Sequence, residues 1–115
     1  MLSATIQGKY VIAKGDDVYL LIHIGKDNLP TVVLIDGKEC DLKQVINKNI
    51  PLGNWKDYAE AKTIKIQSTI RKEGNDFQVS YSLGNGKIWQ QHTYQSNSSE
   101  ELLYIEANFV LESER

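Results

Sequence analysis

Strict alternation of apolar and polar residues in the second half of the chain is the feature that most narrows what it can become. Ile64, Ile66, Ser68 and Ile70 alternate with Lys65, Gln67 and Thr69, and Phe77, Val79, Tyr81 and Leu83 alternate with Gln78, Ser80 and Ser82. A period of two puts every second side chain on one face of an extended strand, whereas a helix would scatter these residues around its axis. Both segments therefore read as strands with one dry face and one wet face. Lys72-Glu73-Gly74-Asn75 lies between them and reads as a turn. Pairing across Glu73-Gly74 sets Ile70 opposite Phe77, Ser68 opposite Val79, Ile66 opposite Tyr81 and Ile64 opposite Leu83. A slip of one residue would turn one whole set of side chains to the other face.

Asn85-Gly86 predicts a second hairpin, because a type I′ turn needs positive φ at both central residues. In that register Leu83 faces Ile88, Tyr81 faces Gln90, Val79 faces His92 and Phe77 faces Tyr94. The opposite face then carries Trp89, Gln91 and Thr93 beside Gln78, Ser80 and Ser82. A three-residue loop is the competing reading; it turns Trp89 inward against Tyr81 and His92 outward. The last segment carries two signals. Ser98-x-x-Glu101 resembles a helix-starting capping box, yet Leu103, Ile105, Ala107, Phe109 and Leu111 share one face of a strand. As a helix its apolar residues would surround the axis, so a strand is expected. The second half becomes a consecutive meander of 62–72, 75–84, 87–95 and 101–112. In it Tyr104 shares an outer face with Trp89, and 101–112, if it forms a sheet edge, invites pairing.

The first half supplies further strands. Lys9–Lys14 and Asp17–Ile24 flank a tight turn at Gly15-Asp16, and Thr31–Ile35 is a β-branched run suited to a strand covered on both faces. Between Asp41 and Ala61 the pattern shifts. Asp41 ahead of Leu42, Val45 and Ile46 predicts a capped helical turn, Asn54 predicts a second, and Pro51-Leu52-Gly53 separates them. The expected fold is all-β: an antiparallel β-sandwich or flattened barrel of seven to eight strands in a single domain over 1–115, with one or two short helical turns between 41 and 61. The alternative is a closed up-and-down barrel whose interior cavity Gln90, His92 and Tyr94 would line.

Composition limits the function classes. Of 115 residues, 41% are hydrophobic and 24% charged, which suits a packed chain and not a disordered one. The formal charge of -2 provides no basic field for nucleic acid. The clean apolar runs Val18–Ile22 and Val32–Ile35 are too short to span a bilayer, so no membrane partner is expected. Cys40, the single cysteine, allows no intrachain disulfide, and a cytoplasmic location is expected. An exported chain after leader removal would carry the same sequence.

The motifs for chemistry are mostly absent. Gly8-Lys9, Gly25-Lys26, Gly37-Lys38 and Gly86-Lys87 all lack the Ser or Thr that a P-loop needs for magnesium. Gly84-x-Gly86 is followed by Trp89 where a dinucleotide fingerprint needs glycine. His23 and His92 lie far apart, without a metal-binding spacing around either. Cys40 reads as a small buried hydrophobe before it reads as a nucleophile. Asp16-Asp17 reads as turn chemistry, since the chain turns apolar too soon for a calcium loop. No catalytic residue, metal site or cofactor is expected. The leading expectation is a non-enzymatic binding module for another protein or for itself, as a homodimer, through a sheet face or edge. Its candidate surface is Trp89, Gln91, Thr93, Gln78, Ser80 and Tyr104, a polar face with an aromatic anchor. A small-molecule or sugar ligand is the second reading. A small enzyme with scattered residues such as His92, Asp57 and Glu60 is the third.

Overall fold

The computed structural model describes residues 2–25, 29–71, 77–97, 99 and 101–115. The strands are β1 (Leu2–Ile12), β2 (Asp17–Ile24), β3 (Leu29–Ile35), β4 (Lys38–Glu39), β5 (Ile50–Asn54), β6 (Lys62–Arg71), β7 (Phe77–Gly84), β8 (Trp89–Ser96) and β9 (Leu102–Ser113). They form a five-stranded sheet ordered β1-β9-β6-β3-β4 and a four-stranded sheet ordered β5-β2-β7-β8. The chain is thus the expected all-β sandwich, mostly antiparallel. The β1–β9 ladder, however, joins the first and last strands in parallel. No ladder connects the two sheets among the described residues, so the layers are open at both sides and the closed barrel is not formed.

The alternation predicts the buried faces correctly. Ile64, Ile66, Ser68 and Ile70 of β6 are buried, as are Phe77, Val79, Tyr81 and Leu83 of β7 and Leu103 to Leu111 at every second position of β9. Partner choice departs from expectation. β6 does not pair with β7; it sits between β3 and β9, while β7 sits between β2 and β8 in the other sheet. Their apolar faces meet across the core instead of side by side, and the Tyr81 hydroxyl donates to Ser68 Oγ at 2.8 Å. The expected turn at 72–75 lies outside the described residues.

The same exchange of sheets occurs elsewhere. A tight turn forms one residue earlier than the expected Gly15-Asp16: Asp16 N–H donates to Ala13 O at 2.9 Å, which puts Lys14-Gly15 at its centre, with the positive φ of 84° at Gly15 in the second position. It links β1 of one sheet to β2 of the other, and no hairpin results. The final strand is likewise not an edge: β9 is enclosed by β1 and β6. Of consecutive described strands, only β3–β4 and β7–β8 pair with each other. Val33 of β3 is buried, but Val32 and Leu34 on its outer side are only half-buried, so the double coverage expected there is partial.

The β7–β8 hairpin keeps its predicted faces in a different register. Tyr81 lies opposite His92, Val79 opposite Tyr94 and Gly84 opposite Trp89. This is a shift of two residues, which a period-two pattern does not detect. Asn85 explains it. Its Oδ1 accepts from both Lys87 N–H and Ile88 N–H at 2.9 Å, and of the two turn residues only Gly86 has positive φ. An asparagine side chain that satisfies the loop's own amides holds a four-residue loop without a type I′ turn.

Both short helical turns form where caps were expected. Asp41 accepts from Lys43 N–H at 3.0 Å at the start of the turn Leu42–Val45. Asn54 accepts from Lys56 N–H, and Asp57 returns a bond to Asn54 N–H at 2.8 Å, a reciprocal box opening the 3₁₀ turn Trp55–Tyr58. Between them, Ile50–Asn54 is an edge strand on β2, where only a spacer was expected; Pro51 fits because an edge strand has a free side for a missing N–H.

The core is continuous, with Tyr81 and Phe109 as its largest fully buried side chains, 6.3 Å apart. Burial pushes the Tyr81 phenol up to about 12, partly offset by its bond with Ser68.

Candidate functional site

Pairing of β2, β7 and β8 creates the outer face of the four-stranded sheet. Inward Val18, Leu20 and Ile22 leave Tyr19, Leu21 and His23 facing out, and inward Tyr81 and Leu83 leave Ser80, Ser82 and Gly84 facing out. The register sets these residues in rows across three strands: Tyr19–Gly84–Trp89, Leu21–Ser82–Gln91 and His23–Ser80–Thr93. The central strand therefore has small residues between taller neighbours. Ser80 and Ser82 are only 1% and 7% exposed although they point away from the core.

Five of the six expected surface residues come together here. Gln91 Nε2 donates to Ser80 Oγ at 2.9 Å, and Ser80 Oγ lies 3.1 Å from Thr93 Oγ1. Gln78 is exposed at the far end of the same face. Trp89 is on this face too, but half-buried and not exposed as expected. A Cβ on Gly84 would lie 2.8 Å from Trp89 Cε3 and 3.0 Å from Cδ2, so the indole lies over β7 in the space the glycine leaves. The inward Trp89 of the three-residue loop is not formed. The sixth residue, Tyr104, is on the other side of the molecule. It belongs to the outer face of the five-stranded sheet, where Gln67 Nε2 donates to its hydroxyl at 2.7 Å. The joint Trp89–Tyr104 surface does not exist, because the chain changes sheets between β8 and β9. Tyr19 and Leu21 were not singled out from the sequence, and His23 was weighed as a metal ligand and not as part of this face. β2 reads as apolar on both faces, and only its long-range pairing with β7 reveals where they sit.

The remaining candidates are dispersed. His23 is on this outer face, with Nδ1 2.7 Å from Asn47 Oδ1. His92 points inward, 5.0 Å from the Phe109 ring and over Gly8, so the two imidazoles face opposite sides of one sheet. Gln90, expected to line a cavity, is exposed; its Nε2 donates to Lys9 O at 3.1 Å. Cys40 is half-buried, with Sγ 3.5 Å from Lys38 O. Asp57 is engaged in the Asn54 box and Glu60 is exposed, neither shown in contact with His92. Asp17 Oδ1 accepts from Asn54 at 2.9 Å and Asp16 Oδ2 from Asn85 at 3.3 Å, so both serve the loops around them. Among the described residues no three metal-ligating side chains gather, and no helix is long and apolar enough to cross a membrane.

An open cleft of about 400 Å³ lies at the end of β9, lined by Val11, Ala59, Ala61, Glu112, Ser113, Glu114 and Arg115. Its polar groups are occupied: Glu112 pairs with Lys9 at 2.9 Å, Arg115 donates to Ala59 O and Trp55 Nε1 donates to Glu114 O at 2.8 Å. Ser113 also donates to Trp55 O. These bonds anchor the 3₁₀ turn to the strand ends.

One edge is long and open. Among the described residues β1 pairs with β9 on one side only. Its even residues direct their backbone groups to β9, as Ile12 O does in accepting from Glu114 N–H at 2.8 Å; its odd residues direct theirs outward. Lys9 O is taken by Gln90, and His92 over Gly8 closes β8 against that half of the strand. Ser3, Thr5 and Gln7 present the open stretch. No protein-family model, curated protein or solved structure matches this chain.

Proposed function

We propose that this chain is a non-enzymatic interaction module that self-associates through β1, with two copies joining their five-stranded sheets edge to edge. One observation carries the reading: eleven residues of β1 have a ladder on one side only, and from Leu2 to Gly8 no charged side chain or proline guards the other. Protected edges normally carry such guards. The segment is also self-complementary. Antiparallel pairing about Thr5 sets Thr5 against its own copy, Ser3 against Gln7 and Ala4 against Ile6, without like charges in register. Leu2, Ala4 and Ile6 are half-buried in one copy, whereas their β9 partners Leu103, Ile105 and Ala107 are fully buried. A second strand would cover the remaining surface of Ala4 and Ile6.

Thr5→Lys and Thr5→Pro test this in sedimentation equilibrium. Lysine would meet its own copy at the two-fold axis, while within one copy it faces Glu106 across the β1–β9 ladder. Proline removes an amide that points outward, which an edge strand tolerates. The wild-type chain is expected to form a dimer and both variants a folded monomer. A monomeric wild type at millimolar concentration, or variants that dimerise as the wild type does, overturns the proposal.

A further inference from the structure

The outer face of β2, β7 and β8 has two properties that the edge reading leaves unused. The first is an unmet hydrogen-bonding group. Ser82 is 7% exposed, it stands in the trough between Leu21 and Gln91, and its hydroxyl has no hydrogen-bond partner among the described residues. The oxygen still reaches solvent, since it is not among fully enclosed unpaired atoms. Ser80 beside it is satisfied twice over, by Gln91 and Thr93. A hydroxyl that touches water only through the floor of a trough is free to bond a group that arrives from outside.

The second is neutrality. Tyr19 to His23, Gln78 to Gly84 and Trp89 to Gln95 place no Lys, Arg, Asp or Glu on this face, in a chain that is 24% charged. Asp17 at the rim is bonded to Asn54. Over the Trp89–Ser82–Gln91 stretch an ionic ligand would lose hydration and meet no countercharge, the Asp17 carboxylate lying at the rim beyond Tyr19. A neutral polyhydroxyl ring fits: its C–H face covers an aromatic ring, and its hydroxyls serve as both donors and acceptors. Trp89 supplies the aromatic surface, held over β7 by Gly84, with the Tyr19 ring at the other end of the same row. Ser82 Oγ and the exposed amide of Gln91 supply the polar contacts.

We infer that this face is a binding site for an uncharged saccharide, with one sugar ring against Trp89 and its hydroxyls on Ser82 and Gln91. The site lies on the outer face of the four-stranded sheet, whereas the β1 edge belongs to the five-stranded sheet; β8 meets β1 at Gly8 and Lys9 through its inward side.

The test is calorimetric titration of the full chain with neutral hexasaccharides of glucose, xylose and mannose units, alongside an anionic uronic-acid hexasaccharide. At least one neutral hexasaccharide should bind, and the uronic-acid chain should bind more weakly. Trp89→Ala should abolish binding. That variant uncovers Gly84 and can perturb the hairpin, so Ser82→Ala is the decisive one. It removes only an unpartnered hydroxyl, should leave the thermal midpoint unchanged, and should weaken binding about fivefold, the fold-change of one neutral hydrogen bond. Thr5→Lys should bind as the wild type does, which separates this site from the edge. Failure of every neutral hexasaccharide to bind, tighter binding of the anionic chain, or Ser82→Ala with wild-type affinity overturns the assignment.

Discussion

The two outer faces of this sandwich are built from the same strand period and cover the same core, yet their surfaces differ in kind. The face of the five-stranded sheet is ionic. Lys9 meets Glu112 at 2.9 Å and Lys65 meets Glu106 at 3.7 Å, each pair crossing between adjacent strands. Asn108 and Gln67 add side-chain bonds to Glu106 and Tyr104. The face of the four-stranded sheet is neutral inside its Asp17 rim, with two aromatics, a floor of Ser80, Ser82 and Gly84, and a Ser82 hydroxyl without a partner among the described residues. A charged, internally paired face keeps its hydration and resists adhesion. A neutral face with aromatic flanks and small residues between them loses less on being covered. Both faces are wet by the pattern of the sequence, and they differ in charge and in how their side chains are paired.

This comparison presumes two separate sheets locked together by one core, and the largest expected effect tests that premise. Tyr81→Ala should destabilise the chain by about 3–5 kcal/mol in denaturant unfolding, since it empties a fully buried aromatic site and leaves Ser68 unpaired. A near-neutral result would mean that β6 and β7 do not face each other across the core.

Alkaline pH probes the same contact without mutation. The folded-state value of Tyr81 lies above that of an exposed tyrosine, so the native state keeps its phenolic proton while the unfolded chain has begun to lose it. Stability is complete below about pH 10 and falls as pH rises toward 12, by roughly 2–3 kcal/mol. Tyr10 and Tyr58, both raised first by burial and then by neighbouring carboxylates, act in the same direction. Unfolding monitored from pH 8 to 12 should show this decline, and Tyr81→Phe should flatten most of it.

Gly84→Ala sharpens the contrast between faces. Its methyl would lie 2.1 Å from Ile88 O and 2.8 Å from Trp89, so a loss of about 1–3 kcal/mol is expected. Thr69→Ala on the ionic face should stay within about 0.5 kcal/mol. Equal effects at the two positions would show that the indole is not seated over β7. Smallest is the ionic face itself. Lys65→Ala should cost about 0.2–1 kcal/mol, shrinking in 1 M salt, because the pair is substantially solvent-exposed. A loss that salt leaves unchanged would mean the pair is shielded from water.

The sequence by itself determined at least part of β2, β3, β6, β7, β8 and β9, which face of β6 to β9 is dry, and where the two helical turns begin; residues 2–8, Lys38–Glu39 and Ile50–Asn54 were not legible as strands. Ile66, Tyr81 and Phe109 are inward because an alternating apolar set can be removed from water in only one orientation of the strand. Asp41 and Asn54 cap their turns because the bonds involved span three residues or fewer. Tertiary structure alone decided which strands share a sheet. Ile66 desolvates equally well beside Tyr81 or across the core from it, and the backbone groups that distinguish the two arrangements are the same in every residue. For that reason the β6–β7 hairpin and the edge position of 101–112 were wrong while every face assignment in them was right. The candidate surface divides in the same way. Gln78, Ser80, Trp89, Gln91 and Thr93 were legible because one local hairpin joins them, and a two-residue slip leaves a period-two face intact. Tyr104 was misplaced, and Tyr19 and Leu21 joined this face, through pairings of strands far apart in the chain. Only packing of the complete sandwich selects those pairings.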